Sequence, residues 1–273
     1  MRDAYVELLL RSLTLSLGGP VELLQPVPPH GRPVLRTLLQ RFLIRGRSAR
    51  LAVPVTYDPD ADPAGRRNAY ELAPGILTMI GRERLGHVRD CLVDVLERQV
   101  PGHVIETGVW RGGTTILMRG ILRAHGSSDR KVFVADSFEG LPPPNAARYP
   151  ADAGLDLHEH PVLAVSLEDV RAAFERYDLL DEQVVFVKGW FKDTLPGLTD
   201  ENFSVIRLDG DLYESTMDAL SNLYPRLSLG GWLIVDDFQI PACVQAVTDY
   251  RERHGITEEL QRVNWAACWR RER

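Results

Sequence analysis

From about residue 76 onward, the apolar positions switch repeatedly between two periods. Leu85, Val88, Leu92, Val95 and Leu96 recur every three or four positions, as along one face of a helix, and stop before Pro101 and Gly102. Residues 103–106 then form a short apolar strand that ends in a glycine-rich turn and a helix reaching about Ala124. Residues 131–135 predict a second strand, closed by Asp136 and followed by a long loop. Leu167, Val170, Phe174 and Tyr177 mark a further helix with Ser166 as its N-cap. Strands follow at 184–187 and 203–208, the latter running into Asp209. Met217, Leu220, Tyr224 and Leu227 predict a helix, and Gly230 and Gly231 turn the chain into a strand at 232–235 that meets Asp236 and Asp237. A helix at 242–253 and two short strands, 259–263 and 266–269, complete the pattern. Strands alternating with helices imply an α/β fold built on a doubly wound, mostly parallel sheet. The final two strands, joined through Asn264 and Trp265, read as an antiparallel hairpin on its edge.

Residues 1–75 have a different texture. Arg2, Asp3, Glu7 and Arg11 are spaced among the first apolar residues as on an amphipathic helix rather than a signal peptide. A Pro/Gly stretch follows, then a second, basic helix carrying Arg41, Arg45, Arg47 and Arg50, and a turn-rich segment at 57–65. No strong strand pattern shows there. The expectation is a helical cap, lid or dimerisation segment at 1–75, preceding a catalytic domain at 76–273.

An apolar fraction of 44% over 273 residues suffices for a sizeable core. A net charge of −6 argues against a general nucleic-acid binder. No uncharged apolar run approaches the roughly 20 residues of a membrane span. Cys91, Cys243 and Cys268 lie far apart without metal-ligand spacing, a sparse, odd set suited to a reducing compartment. A cytoplasmic protein with neither nucleic-acid nor membrane partners is expected.

In open α/β sheets, ligands bind beyond the carboxyl ends of the strands. Four predicted strands end in acids: Glu106, Asp136, Asp209 and the pair Asp236–Asp237. The turn Glu106-Thr107-Gly108-Val109-Trp110-Arg111-Gly112-Gly113 brings backbone close to a ligand, and its opening acid suits an ammonium better than a pyrophosphate. Asp136 stands where nucleoside-binding sheets hold ribose hydroxyls. Asp209, Asp236 and Asp237 close neighbouring strands, and carboxylates so crowded call for a cation. An oxygen-only donor set favours Mg²⁺, with Asp211 either a fourth member or a cofactor contact. The plain alternatives are a tight turn at Glu106, a cap at Asp136, and separate helix caps at the other acids.

Six stretches extend the pattern: TMIG (78–81), ETGVWRGG (106–113), VADSFEGLP (134–142), GWFKDTLP (189–196), RLDGDLYEST (207–216) and IVDD (234–237). In that order they resemble the macrocin-type (TylF-like) O-methyltransferases of antibiotic biosynthesis, which methylate deoxysugar hydroxyls. The resemblance implies a class I, Rossmann-like methyltransferase with a seven-stranded sheet, using S-adenosylmethionine and Mg²⁺ or another divalent cation. It implies that Glu106, Thr107, Gly108, Val109, Trp110, Arg111 and Gly112 hold the methionine portion. By the same resemblance Asp136 and Ser137 hold the ribose, Gly189 and Trp190 border the adenine, and Met79 walls the cofactor. Asp209, Asp236 and Asp237 match the metal ligands, with Asp209 also the general base. The implied partner is a small-molecule glycoside such as a macrolide, and the N-terminal region of relatives supports homo-oligomers, dimeric or higher. His158 and His160, in the long loop, would touch substrate, act as base or be solvated. Two other readings remain open: a catechol- or phenol-type O-methyltransferase with the same metal site, and a nucleotide-sugar or dinucleotide-binding protein. The Glu106 turn and the acid trio count against the second.

Overall fold

The computed structural model describes residues 1–14, 17, 21–26, 52–57 and 75–273. Helix α1 (Arg2–Leu13) buries Val6, Leu9, Leu10 and Leu13, the three- and four-residue spacing of one helix face. Beyond it, strands β1 (Val21–Pro26) and β2 (Ala52–Tyr57) pair antiparallel, with Val21 opposite Tyr57 and Pro26 opposite Ala52. The absence of strands expected over 1–75 is therefore corrected. Val53, Val55 and Thr56 are β-branched and favour extended backbone, and Pro54 is compatible with a two-stranded ribbon that has open edges. Proline punctuation disguised that signal as loop. The basic helix expected around Arg41 and Arg50, and the turn-rich stretch after Tyr57, lie outside the described residues.

From α2 (Arg82–Glu97) onward, strands and helices alternate: β3 (His103–Thr107), α3 (Gly113–Ala124), β4 (Val132–Asp136), α4 (Leu167–Arg176), β5 (Val184–Lys188), the short α5 (Phe191–Thr194), β6 (Phe203–Leu208), α6 (Tyr213–Leu223), β7 (Leu227–Val235), α7 (Pro241–His254), β8 (Gln261–Val263) and β9 (Ala266–Arg270). Seven strands form one sheet in the order β5-β4-β3-β6-β7-β9-β8. Strands β3 to β7 are parallel, β9 runs antiparallel to β7, and β8 antiparallel to β9, as the edge hairpin requires.

Alternation along the strands feeds two cores. Val104, Val132, Val134, Val205 and Ile234 face the layer of α1, α2, α3 and α4. Their neighbours Ile105, Phe133, Ile206, Leu233 and Val235 face the layer holding α6 and α7. Both faces being covered, the central strands read as near-continuous apolar runs. Helix α3 is buried from Gly113 to Leu122, enclosed between the sheet, α1 and α2. Ser166 caps α4 as expected, accepting the Asp169 amide. Strand β7 starts five residues before the expected 232 because Gly230 (φ +83°) does not end it. The glycine pair absorbs a register shift against β6, a bulge inside the strand rather than a turn.

Candidate active site

The chain lays down β3 first, works outward to β5, and returns on the other side of β3 as β6. Strand order thus reverses between β3 and β6, where open α/β sheets bind ligands. Hydrogen bonds run one step past the strands: Gly108 to Ala135, Asp209 to Thr107 and Asp236 to Leu208, each at 2.9 Å. That ladder holds the acidic strand ends in register on one edge. Above them lies a cavity of about 750 Å³, walled by Met79, Glu106, Gly108, Val109, Trp110, Asp136, Ser137, Gly189 and Trp190 among the expected cofactor residues. Asp209, Asp211, Asp236 and Asp237 line the same space.

Three expected cofactor residues stand back from it. Thr107 is fully buried in β3. Arg111 turns away, donating to the Ile76 carbonyl at 2.9 Å and stacking 4.2 Å over the Trp110 ring. Gly112 caps α3 in the left-handed conformation beside Val170. These three do not line the cavity, whereas the other four of the turn do.

Arg207, 1% exposed in β6, is the hub of the site. Its Nη1 pairs with Glu106 Oε1 and, at 2.7 Å, with Asp209 Oδ2, while Nη2 lies 2.7 Å from Asp236 Oδ1. Asp236 is paired again by Arg84, from the first turn of α2. Expected as a cation ligand, Asp236 is here committed to two arginines. The close trio is instead Asp209, Asp211 and Asp237, one carboxylate oxygen of each lying within 4.8 Å of the others. Asp211 adopts φ +58°, and its amide donates to Asp237 Oδ2 at 3.1 Å.

Burial raises the pKa values of these acids, and their mutual repulsion raises them further. Asp211 is pushed up to about 7 by burial, then by Asp209 and Asp236. Burial and the other three aspartates lift Asp237 well above the carboxylate range. Glu106 reaches about 8, mainly through burial that Arg207 only partly offsets. Its Oε2 is buried without a hydrogen-bond partner. Each of these groups holds its proton to a higher pH in the folded chain than in the unfolded one. The fold therefore loses stability as pH rises from the ordinary carboxylate range, near 4, through 7 and 8. The melting temperature of metal-free protein should fall between about pH 5 and 8, and divalent salt should restore it. A flat or rising profile would contradict this electrostatic picture.

Asp136 has its carboxylate against the turn: it accepts the amides of Val109 at 2.7 Å and Phe138 at 2.8 Å. Ser137 donates to the Gly140 carbonyl at 2.6 Å. The long loop is fastened at two points. Trp110 Nε1 donates to the Val162 carbonyl at 2.8 Å, and the buried Asp152 accepts the Tyr213 and Glu214 amides, at 2.6 and 3.1 Å, capping α6. Asp152→Ala should cost about 1 kcal/mol, read as a drop in melting temperature of roughly 2–4 °C. An unchanged melting temperature would mean that water replaces the cap. His160 is exposed at the cavity wall, whereas His158 is exposed and does not line it.

Arg207, Arg84, Asp152 and Trp265 were not singled out from sequence. An arginine inside the apolar run of β6 was the readable sign of the first. The other three are brought in by tertiary contacts alone. The three cysteines are buried and free, and no described helix is long and apolar enough to cross a membrane.

The sequence and the fold have known counterparts. A family model described as Macrocin-O-methyltransferase (TylF) matches residues 2–272. The chain is 54% identical over 215 residues, 78% of its length and 82% of the relative's, to an 8-demethyl-8-(2,3-dimethoxy-alpha-L-rhamnosyl)-tetracenomycin-C 4'-O-methyltransferase of Streptomyces olivaceus. It is 50% identical over 198 residues, 71% of this chain and 78% of the relative, to the mycinamicin III 3''-O-methyltransferase of Micromonospora griseorubida. The solved structure of the O-methyltransferase NovP superposes with a TM-score of 0.80 at 42% identity, covering 100% of both chains. With the family matched along nearly its whole length and the sheet of such enzymes in place, the chain belongs to the macrocin O-methyltransferase family and is an O-methyltransferase.

Proposed function

We propose that the enzyme transfers the methyl of S-adenosylmethionine to a hydroxyl of a deoxysugar on a small-molecule glycoside, with Mg²⁺ or a similar divalent cation at its acid trio. The observation carrying this reading is that one cavity joins an unpartnered, buried Glu106 oxygen to three converging carboxylates. The tetracenomycin and mycinamicin relatives supply the acceptor class by their names.

Glu106 Oε2 is buried at the cavity wall without a partner, and the ammonium of the methionine portion would favour the charged carboxylate there. Asp136 retains lone pairs beyond its turn contacts for ribose hydroxyls, beside Ser137, with Gly189 and Trp190 toward the adenine and Met79 over the cofactor. Oxygen donors alone, crowded enough to raise one another's pKa, fit a hard dication. Asp209, Asp211 and Asp237 would hold it, with Asp236, paired to Arg84 and Arg207, beside them. Such an ion would lower the pKa of the acceptor hydroxyl. Asp209 accepts the hydroxyl proton as general base. Glu106, Arg207 and Asp209, locked together across β3 and β6, fix the acceptor side relative to the cofactor side, so that oxygen, methyl carbon and sulfur align. Beyond α1, which is packed into the core of the catalytic domain, the N-terminal segment up to residue 75 acts as lid and dimer contact, in a cytoplasmic homo-oligomer.

The test is methylation with labelled cofactor of an L-rhamnoside and a catechol in parallel. Turnover of the rhamnoside, abolished by chelator and restored by Mg²⁺, is expected. Turnover of the catechol alone would transfer the enzyme to the phenol class, and full activity in excess chelator would remove the metal. A further expectation concerns Asp136. Asp136→Ala should weaken S-adenosylhomocysteine by about 1.5–3 kcal/mol in calorimetry while leaving Mn²⁺ binding intact. Equal affinity would reduce Asp136 to a turn cap.

A further inference from the structure

Sheet order lays the site out in a line. Asp136 and Glu106 end β4 and β3, Asp209 follows β6, and Asp236–Asp237 follow β7. With the cofactor over β4 and β3 and the acid trio over β6 and β7, a hydroxyl at the trio belongs to a molecule extending further along the edge. The next strand is β9, and its antiparallel register pairs Val235 with Ala267. The ladder ends there, and Trp265 and Asp237, each two residues beyond it, both line the cavity. Trp265 lines the cavity, only partly buried, at the tip of the β8–β9 hairpin.

The tip is held in place. Asn264 sits at φ +55° and donates from Nδ2 to Glu83 Oε2 at 3.0 Å. The Arg84 guanidinium, paired to Asp236, lies 5.5 Å from the centroid of the Trp265 ring. One chain of contacts, Asp236–Arg84–Trp265, thus ties the ring to the reacting end of the cavity. A partly exposed indole on a ligand cavity offers an apolar face with two rotatable bonds, a cheap platform to order. Gln239, two residues past Asp237, is exposed on the same wall and adds an amide donor and acceptor.

We propose that Trp265 is the acceptor platform: its ring stacks on the C–H face of the pyranose whose hydroxyl is methylated, and so sets sugar specificity. The inference rests on the glycoside reading above. A deoxysugar suits such a contact because each missing hydroxyl enlarges the apolar face laid against the ring.

The experiment uses p-nitrophenyl α-L-rhamnopyranoside as acceptor with the full-length enzyme, cofactor and Mg²⁺. Trp265→Ala, Trp265→Leu and Trp265→Phe are compared with the parent. In the Ala and Leu variants, KM for the rhamnoside should rise about tenfold or more, with kcat within about threefold and S-adenosylhomocysteine affinity unchanged. The Phe variant should keep most of the affinity. Trp265→Leu preserves an apolar side chain at the tip, so a KM equal to the parent's overturns stacking. A fall in kcat with unchanged KM overturns it too, placing the residue in the chemistry instead. Failure of the parent to turn over the rhamnoside while methylating a catechol would instead overturn the glycoside reading, and the platform with it.

Discussion

Asp209→Asn is expected to lower turnover by about 10²–10⁴-fold, the usual loss on removing a general base, while the protein still binds Mn²⁺ detectably. The amide keeps one oxygen for a cation but cannot take up a proton. Its contact with Arg207 changes as well, since Nη1 of that arginine also holds Glu106. Melting should nevertheless fall little, because the variant removes one of several mutually repelling buried acids. Asp211→Asn is the informative partner. Asp211 belongs to the same trio, and burial, reinforced by repulsion from Asp209 and Asp236, holds its pKa near neutrality, at about 7. If Asp209 is the base, Asp211→Asn loses mainly cation affinity and is rescued by added Mg²⁺. A fully active Asp209→Asn would remove the base role, and a larger unrescued loss in Asp211→Asn would hand it to Asp211.

The second large effect is steric. At Gly108, φ is +83°, and a Cβ would lie 1.7 Å from the carbonyl oxygen of Asp209. That atom is backbone, in a residue whose amide donates to the Thr107 carbonyl at 2.9 Å where β3 and β6 end side by side. Gly108→Ala must therefore part the two strand ends that bear Glu106 and Asp209. A destabilisation above about 4 kcal/mol is expected, with loss of S-adenosylhomocysteine binding in whatever folds. Gly126→Ala supplies the control. Its φ is +67° with nothing within 4 Å of a Cβ, so it isolates the cost of left-handed backbone, about 1 kcal/mol. Similar melting temperatures for the two variants would show that the strand ends separate easily, and the picture of a rigid switch point would fail.

The parts of this molecule that were legible in sequence are those that local chemistry decides. Val132, Phe133 and Val134 must form a strand covered on both faces, and an acid closing such a strand has to stand on the sheet edge. Glu106, Asp136 and Asp209 were visible for that reason. The β1–β2 pair was not, because Pro26 and Pro54 interrupt the pattern while remaining compatible with a two-stranded ribbon. The partition of the acids was equally hidden. Whether Asp236 or Asp211 joins Asp209 and Asp237 depends on Arg84, which lies 152 residues from Asp236 along the chain, on a different element. Spacing along the chain carries nothing about which cation reaches which carboxylate. Trp265 read as a hairpin joint, since only the folded chain sets it on the acids' cavity with the Arg84 guanidinium 5.5 Å from its ring centroid.

The two fastenings of the long loop bear on how such an enzyme could change its clientele. Asp152 is pinned to the start of α6, and the Val162 carbonyl to the Trp110 indole. Residues 153–161, between those pins, carry Leu157 and His160 onto the cavity wall and contribute no residue to the acid trio or to the Glu106 turn. Lengthening that span costs little, since doubling a flexible loop adds only about 0.6 kcal/mol of closure entropy. The segment can thus drift or be exchanged between relatives as a cassette, remodelling one wall of the mouth while the methyl-transfer machinery keeps its geometry.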